Sequence, residues 1–246
     1  MLNSQADADL ADLRSLFNRR KGEVLRYFEF LTAVTDNKAD SLAVSQPDLS
    51  MKKVENFVLS RDLVKTLRAN GYLLLYNLVE STMTNAIDSI HQIFHSQSLG
   101  FDDLRTEVQR VILKNFRSAS LDENFVANKM HPIQIAMIRM GYDKTNLFSG
   151  NVDARSIRDT AKIYGFGIAA HDTSVSKNGR RLLDVKNKRN QLAHGKISFE
   201  DCGHETSHDE LIAIANETIA YLEAVLLGIE EYVTRQEYLA ALRNAS

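Results

Sequence analysis

Cysteine, proline and long apolar runs are scarce in this chain of 246 residues. The single cysteine, Cys202, excludes an internal disulfide and is typical of a reducing compartment, so we expect a cytoplasmic protein. Only Pro47 and Pro132 can interrupt helices. The first residues are polar and acidic, so no secretory signal is expected. The longest apolar runs, 72–76 and 224–229, are far shorter than the roughly 20 residues that cross a bilayer, and we expect no membrane segment.

The chain carries little net charge, but one of its segments is strongly basic. A net charge of −2 argues against a protein that coats nucleic acid through bulk electrostatics. Residues 177–196, however, contain seven lysines and arginines and a single acidic residue, Asp184. Such a segment can attract a polyanion locally, although a charge run taken alone is more often a solvated helix face.

Apolar residues recur at helical spacing along most of the chain, which predicts an all-α fold. A first helix is predicted from about residue 7 to 35, followed by a loop over 38–50. A second helix, from about 60 to 95, should be the central buried one, because 72–79 is apolar nearly all round. The other predicted helices cover 102–117, 153–164, 179–194 and 207–242, with short helices at 130–140.

Particular residues should fix the helix ends. Ser60, Asp153 and Ser207 are the predicted N-caps, because their side-chain oxygens can accept hydrogen bonds from the first backbone N–H groups. Gly195 is predicted to end the helix that begins near residue 179, since glycine readily adopts the left-handed conformation found after helix ends.

The segment Arg189-Asn190-Gln191-Leu192-Ala193-His194-Gly195 points most directly at chemistry. Arginine only donates hydrogen bonds and keeps its charge, asparagine donates and accepts, and histidine exchanges a proton near neutral pH. These are the abilities needed to hold and cleave a phosphodiester. On a continuous helix Asn190 and His194 share a face, whereas Arg189 lies about 140° from His194. A helix end at Gly195 would free His194 to turn toward Arg189.

This segment resembles the signature of the HEPN superfamily, an arginine followed a few residues later by a histidine, commonly with asparagine after the arginine. The segments 74–80 (LLYNLVE), on the central helix, and 149–154 (SGNVDA), before a short helix, resemble the MAE-type branch of HEPN nucleases. The resemblance covers about residues 54–232. It implies an all-α bundle, often a homodimer, that acts as a metal-independent endoribonuclease without a cofactor. Many members are toxins or defence effectors.

The resemblance assigns a role to each matching residue. Arg189 and His194 would be the catalytic pair, and Asn190 the supporting polar residue. Glu80 is a further candidate, because an acid on the central helix could orient Arg189 or His194. The expected organisation is one HEPN-like domain over 1–246, with an N-terminal helix and loop at 1–50 and the HEPN-like core at 54–242.

Cleavage of RNA needs no external nucleophile, because the 2′-OH can attack the adjacent phosphorus. His194 could accept the proton, while Arg189 could grip two phosphate oxygens and stabilise the developing charge. Departure of the leaving group also needs an acid, so we expect a two-fold dimer with two copies of His194 across one cleft. The expected partners are therefore RNA and a second copy of the chain. The resemblance to a family with many toxins also implies an antitoxin protein. The RNA-contacting residues would be Arg181, Lys186, Lys188 and Lys196.

Two other functions remain open at this point. A non-catalytic HEPN module would use the same segment to bind RNA or nucleotide, or to scaffold a larger complex. A plain helical interaction protein would leave Arg189 and His194 apart and exposed.

Two groups of possible metal ligands are weaker candidates. Cys202, His204 and His208, with Asp201 and Glu205 near them, have side chains suited to zinc. A structural site normally needs four well-spaced ligands, so no metal is expected. His91 and His95 have the spacing of a metalloprotease helix, yet Gln92 stands where such an enzyme needs glutamate. We expect both of these histidines to be solvated.

Overall fold

The computed structural model describes residues 4–118, 141–142, 148, 150–170 and 172–240, and its regular structure is almost entirely helical. Two long helices begin the described chain and one long helix ends it, with shorter helices between them. The helices of the described residues are α1 (Ser4–Asp36), α2 (Arg61–Ser96), α3 (Thr106–Ser118), α4 (Ala154–Tyr164), α5 (Thr173–Ser176), α6 (Leu182–Ala193), α7 (Phe199–His204) and α8 (His208–Thr234). The all-α fold class is confirmed.

Helix α2 is the central element, as the apolar pattern predicts. It begins after Ser60, whose hydroxyl accepts a hydrogen bond from the backbone N–H of Leu63 at 3.2 Å. It packs against α1, α6, α7 and α8. Tyr72, Leu75, Tyr76, Leu78 and Val79 are all buried on it. Side chains that reach the surface from α2 are therefore held on a rigid support.

The two terminal helices, α1 and α8, close the core around α2. Six apolar residues that recur at helical spacing along α1 are all buried: Leu10, Leu13, Phe17, Val24, Phe28 and Leu31. Within the described ranges, α8 alone is long and apolar enough to cross a membrane by length and composition. However, 56% of its most apolar window is buried against the rest of the fold, as is usual for a core helix.

The last predicted helix is too long. It was expected to reach about residue 242, but α8 ends at Thr234 and the chain turns through Gln236, which has a φ of 54°. The turn buries Tyr238, whose hydroxyl donates to Oε1 of Gln97, the C-cap residue of α2, at 2.8 Å. This tertiary packing outweighs the local tendency to continue the helix.

Other local predictions were also incomplete. The predicted loop at 38–50 overlaps an antiparallel hairpin of β1 (Ala43–Ser45) and β2 (Met51–Lys53), and three-residue strands are too short to show a period. The helix predicted from 102 begins only at Thr106, after a 3-10 turn over Phe101–Asp103. Neither α5 nor α7 was expected, and the short helices predicted at 130–140 lie outside the described residues.

Candidate functional site

Helix α6 presents the arginine and the asparagine of the candidate site near its C-terminal end. It packs into the core through Leu182, Val185 and Leu192, so the residues between them face outward. His194 follows the last helical residue, and Gly195 has a φ of 64°. Because this is the left-handed region that glycine adopts without strain, the predicted end of the helix is confirmed.

The guanidinium of Arg189 is held from several sides. Its Cζ atom lies 4.4 Å from the centre of the Tyr76 ring, which is a cation–π contact. Its Nη1 donates to Oδ1 of Asn190 at 2.9 Å and to the carbonyl of Gly150 at 3.5 Å. Its Nη2 lies 3.9 Å from a carboxylate oxygen of Glu80. Because 28% of the side chain is still exposed, part of the donor fork remains open to a ligand.

Tyr76 links the guanidinium to the loop that precedes α4. Its hydroxyl accepts a hydrogen bond from the backbone N–H of Val152 at 3.2 Å. Burial raises the pKa of Tyr76 above its ordinary value, so the phenol stays neutral. Asn190 reaches the same loop through its Nδ2, which donates to Oδ1 of Asn151 at 3.4 Å. The loop is thus joined to α2 through Tyr76 and to the end of α6 through Asn190.

Gly150 brings this loop close to Arg189. It has a φ of 72°, and a Cβ at this position would lie 3.3 Å from Nη1 of Arg189. A larger residue would therefore be strained and would also push against the guanidinium. The three segments that carry the HEPN resemblance, on α2, before α4 and on α6, meet at this point.

Tyr76 is the residue that sequence reasoning missed. It lies within the LLYNLVE segment, one helical turn before Glu80, so the two side chains share a face of α2. Sequence alone shows this spacing, but it does not show that Arg189 would pack on that face. The predicted neighbourhood of Glu80 and Arg189 is present, at the limit of an ion pair.

His194 lies beside this cluster without joining it. His194 is exposed, and its backbone N–H donates to the carbonyl of Asn190 at 3.1 Å. Across the part of the chain that the structure describes, its imidazole makes no hydrogen bond, ion pair or ring contact. The chain therefore brings Arg189, Asn190 and Glu80 together and leaves His194 free at the surface.

Acidic residues of α6 and of the distant helix α8 surround one of the predicted RNA-contacting residues. The guanidinium of Arg181 lies 3.2 Å from Asp184, 3.3 Å from Glu210 and 3.9 Å from Glu217. Glu210 and Glu217 belong to α8, far away in sequence. Arg181 is thus largely occupied within the fold.

The three predicted lysine contacts differ in their surroundings. Lys186 forms an ion pair with Asp153, the N-cap of α4. Lys188 forms an ion pair with Glu205. Lys196 is exposed and makes no ion pair with any residue that the structure describes. Sequence reasoning overstated the local positive charge, because it could not count acids that the fold brings in from elsewhere.

The prediction that both His91 and His95 are solvated is wrong for His91. This residue is only 2% exposed, and its Nε2 lies 2.9 Å from the hydroxyl of Tyr164. Its ring stacks on Tyr142 with centroids 3.9 Å apart. Burial, with a smaller contribution from His95, lowers the pKa of His91 to about 3. His91 is therefore a neutral core residue.

Among the residues that the structure describes, no three or more His, Cys, Asp and Glu side chains are arranged to hold a metal ion. Cys202 is buried, and burial raises the pKa of its thiol, which disfavours the thiolate that binds metals.

Comparison with protein families agrees with this geometry. A model of the MAE_28990-like HEPN family matches residues 10–238. The chain belongs to the HEPN superfamily, and within it to the MAE-type branch. The match begins inside α1, so the N-terminal helix is part of the family's domain, which the resemblance over 54–232 did not include. A search of curated proteins and a search of solved structures gave no match.

Membership of this family indicates a nuclease-like or RNA-related function. HEPN domains commonly bind RNA and dimerise.

Proposed function

We propose that this protein is a metal-independent endoribonuclease that cleaves RNA through its own 2′-OH. The observation that carries the proposal is the guanidinium of Arg189, fixed by Tyr76, Asn190 and Glu80 and still 28% exposed. It stands at the helix end where His194 is exposed and, among the described residues, makes no side-chain contact. A fixed, accessible guanidinium beside an accessible imidazole can hold a phosphodiester and transfer a proton.

Each side chain has a defined part in the proposed reaction. His194 removes the proton of the 2′-OH, the 2′ oxygen bonds to phosphorus, and the bond from phosphorus to the 5′ oxygen breaks. The products are a 2′,3′-cyclic phosphate and a 5′-OH end. Arg189 stabilises the charge on the non-bridging oxygens, a contribution typically worth about a hundred- to thousandfold in rate per donor. Asn190 fixes the guanidinium, and Glu80 faces it from α2.

The leaving 5′ oxygen needs a proton, and a second subunit can supply it. In a two-fold dimer that places two α6 ends across one cleft, one His194 acts as base and the other as acid. The free, exposed ring of His194 supports this arrangement, because nothing in its own described chain holds it. Sedimentation should show a dimer at assay concentrations, whereas a strict monomer that cleaves RNA would contradict the composite site.

We further propose that the enzyme acts in the cytoplasm as a toxin or defence effector that a partner protein restrains. An uncontrolled ribonuclease would harm the cell that makes it, so a bound antitoxin would be needed until the enzyme is required. Expression without that partner should slow growth and degrade cellular RNA.

Matched variants test the proposed reaction. Purified wild type, His194→Ala, Arg189→Ala and the control His204→Ala, which removes another exposed histidine, are incubated with labelled RNA in the presence of a chelator. Loss of His194 or Arg189 should slow cleavage by about a hundredfold or more. The control should cleave normally, and RNA with a 2′-deoxy residue at the cut should be resistant. Equal rates for all four proteins would reject the proposed roles.

A binding-only HEPN module is the second candidate. It is favoured by the absence of any described side chain that orients the ring of His194. Such a module would bind RNA in an Arg189-dependent way without cleaving it, and expression of wild type and His194→Ala would leave growth and total RNA equally unaffected.

A further inference from the structure

A basic cavity lies near the Arg189 cluster, the group formed by Arg189, Asn190, Tyr76 and Glu80 with Gly150. Its volume is about 920 Å³, and its walls come from the start of α4, the 3-10 turn Lys177–Gly179, the start of α6 and one residue of α8. The described lining contains five cations and a single carboxylate, that of Asp153. The cations are Arg155, Arg158, Lys177, Arg180 and Lys186.

Most of these cations can meet a ligand. Arg155 has a side chain that is 88% exposed, with Asp159 at 3.9 Å, the limit of an ion pair. Lys177 and Arg180 are exposed and form no ion pair with the residues that the structure describes. Arg158 is exposed too, and its Nη1 donates to the carbonyl of Asn178 at 3.4 Å. Their charges are therefore accessible from solvent, and within the fold Asp159 and Asp172 offset them only in part.

The one carboxylate of the lining is already neutralised. Asp153 accepts hydrogen bonds from the backbone N–H groups of Arg155 and Ser156 and forms an ion pair with Lys186. Burial raises the pKa of Asp153, but these donors outweigh burial and hold the pKa below its ordinary value. The remaining four cations leave the cavity positive, although the whole chain has a net charge of −2.

Two short stretches of chain connect the cavity to the Arg189 cluster, although none of its described lining residues belongs to the cluster. Lys186 precedes Asn190 by one turn of α6, a distance of about 6 Å along the helix. Asp153 follows Asn151 by two residues, and Asn151 accepts the hydrogen bond from Asn190. An RNA backbone that runs from Arg189 along α6 toward Lys186 would reach this cavity.

We propose that the cavity lined by Arg155, Arg158, Lys177 and Arg180 binds the phosphate backbone of RNA that flanks the phosphodiester held at Arg189. This inference rests on the proposed function, because it takes RNA as the substrate. The volume of the cavity is near the upper end of the roughly 300–1,000 Å³ typical of ligand pockets, so the cavity has room for more than one phosphate. Arginine suits this task, since its planar fork can donate two hydrogen bonds to one phosphate.

Binding measurements in a background that cannot cleave test the proposal. Every protein carries His194→Ala, and fluorescence anisotropy follows a labelled single-stranded RNA over a range of salt concentrations. The test variant adds Arg155→Gln and Arg180→Gln. The control adds Arg19→Gln and Arg26→Gln, two exposed arginines of α1 that make the same change in net charge. Circular dichroism checks that each variant is folded.

The test variant should bind RNA about tenfold more weakly than the control at moderate salt. Its plot of log affinity against log salt should be shallower by about 0.7 for each lost phosphate contact. The control should match the His194→Ala parent. Equal affinities and slopes for test and control would overturn the proposal. A nucleoside triphosphate whose binding is lost in the test variant, with RNA binding unchanged, would also overturn it, because the cavity would then be a nucleotide site.

These experiments distinguish a failure of the cavity proposal from a failure of the proposed function. If wild type does not cleave RNA but the test variant still loses RNA affinity, the cavity proposal stands and the catalytic one falls. If wild type cleaves RNA and the test variant binds like the control, only the cavity proposal falls.

Discussion

Two substitutions at Tyr76 can distinguish the effect of its ring from the effect of its hydroxyl on the site at Arg189. Its ring lies under the guanidinium, and its hydroxyl accepts the N–H of Val152. Tyr76→Phe keeps the ring and removes only the hydroxyl. Because Val152 is buried, its N–H would then lack a partner, which should lower the free energy of unfolding by roughly 1–3 kcal/mol. The cation–π contact would remain, so RNA cleavage per folded molecule should stay within about twofold of wild type.

Tyr76→Leu removes both contacts. Loss of the ring costs about 1 kcal/mol of cation–π attraction at the partly exposed Arg189, in addition to the cost of the cavity it leaves. The more important effect is on position, because a guanidinium displaced by about 1 Å can lose as much as about a hundredfold in rate. We therefore expect cleavage to fall by at least about tenfold, and more than in Tyr76→Phe.

The assay for this series combines urea unfolding with cleavage of a labelled RNA below the melting temperature of every variant. Rates are divided by the folded fraction. Wild-type cleavage by folded Tyr76→Leu would refute the role of the ring. An equal loss of cleavage rate in Tyr76→Phe and Tyr76→Leu would show instead that the hydrogen bond between the Tyr76 hydroxyl and Val152 positions the site.

Two further predictions concern a buried histidine and a glycine. His91 has a pKa of about 3 in the fold and about 6.5 when unfolded, so between these pH values the unfolded state binds the extra proton. The contribution of neutral His91 to the free energy of unfolding is complete above pH 6.5 and falls by about 1.4 kcal/mol per pH unit below it. In urea unfolding from pH 6 to 4, the free energy of unfolding of His91→Gln should therefore fall less steeply than that of wild type. Parallel losses in the two proteins would contradict the burial of His91. Gly150→Ala and Gly195→Ala both place a side chain at positive φ and should each cost about 1 kcal/mol in urea unfolding. Since only a Cβ at Gly150 meets Arg189, Gly150→Ala should also slow cleavage severalfold, and wild-type cleavage by this variant would contradict the close approach of the loop.

Local signals were enough to find the helices and most of their ends. Ser60, Asp153 and Ser207 each accept the hydrogen bonds expected of an N-cap, because capping depends on residues within one turn. The end of α8 could not be found this way. It depends on Tyr238 packing against α2, and nothing within the last helix reports that contact.

The all-α fold, the helix that carries Arg189 and Asn190, and the family signature around them could all be recognised in the amino-acid sequence. Periodicity, caps and short motifs are local, so a single chain displays them directly. The packing of the helices is what places Arg189 on the ring of Tyr76 and brings acids from elsewhere in the fold to neutralise much of the basic segment. These contacts join residues far apart in the chain, and their distances follow from how the helices pack rather than from any spacing in the sequence.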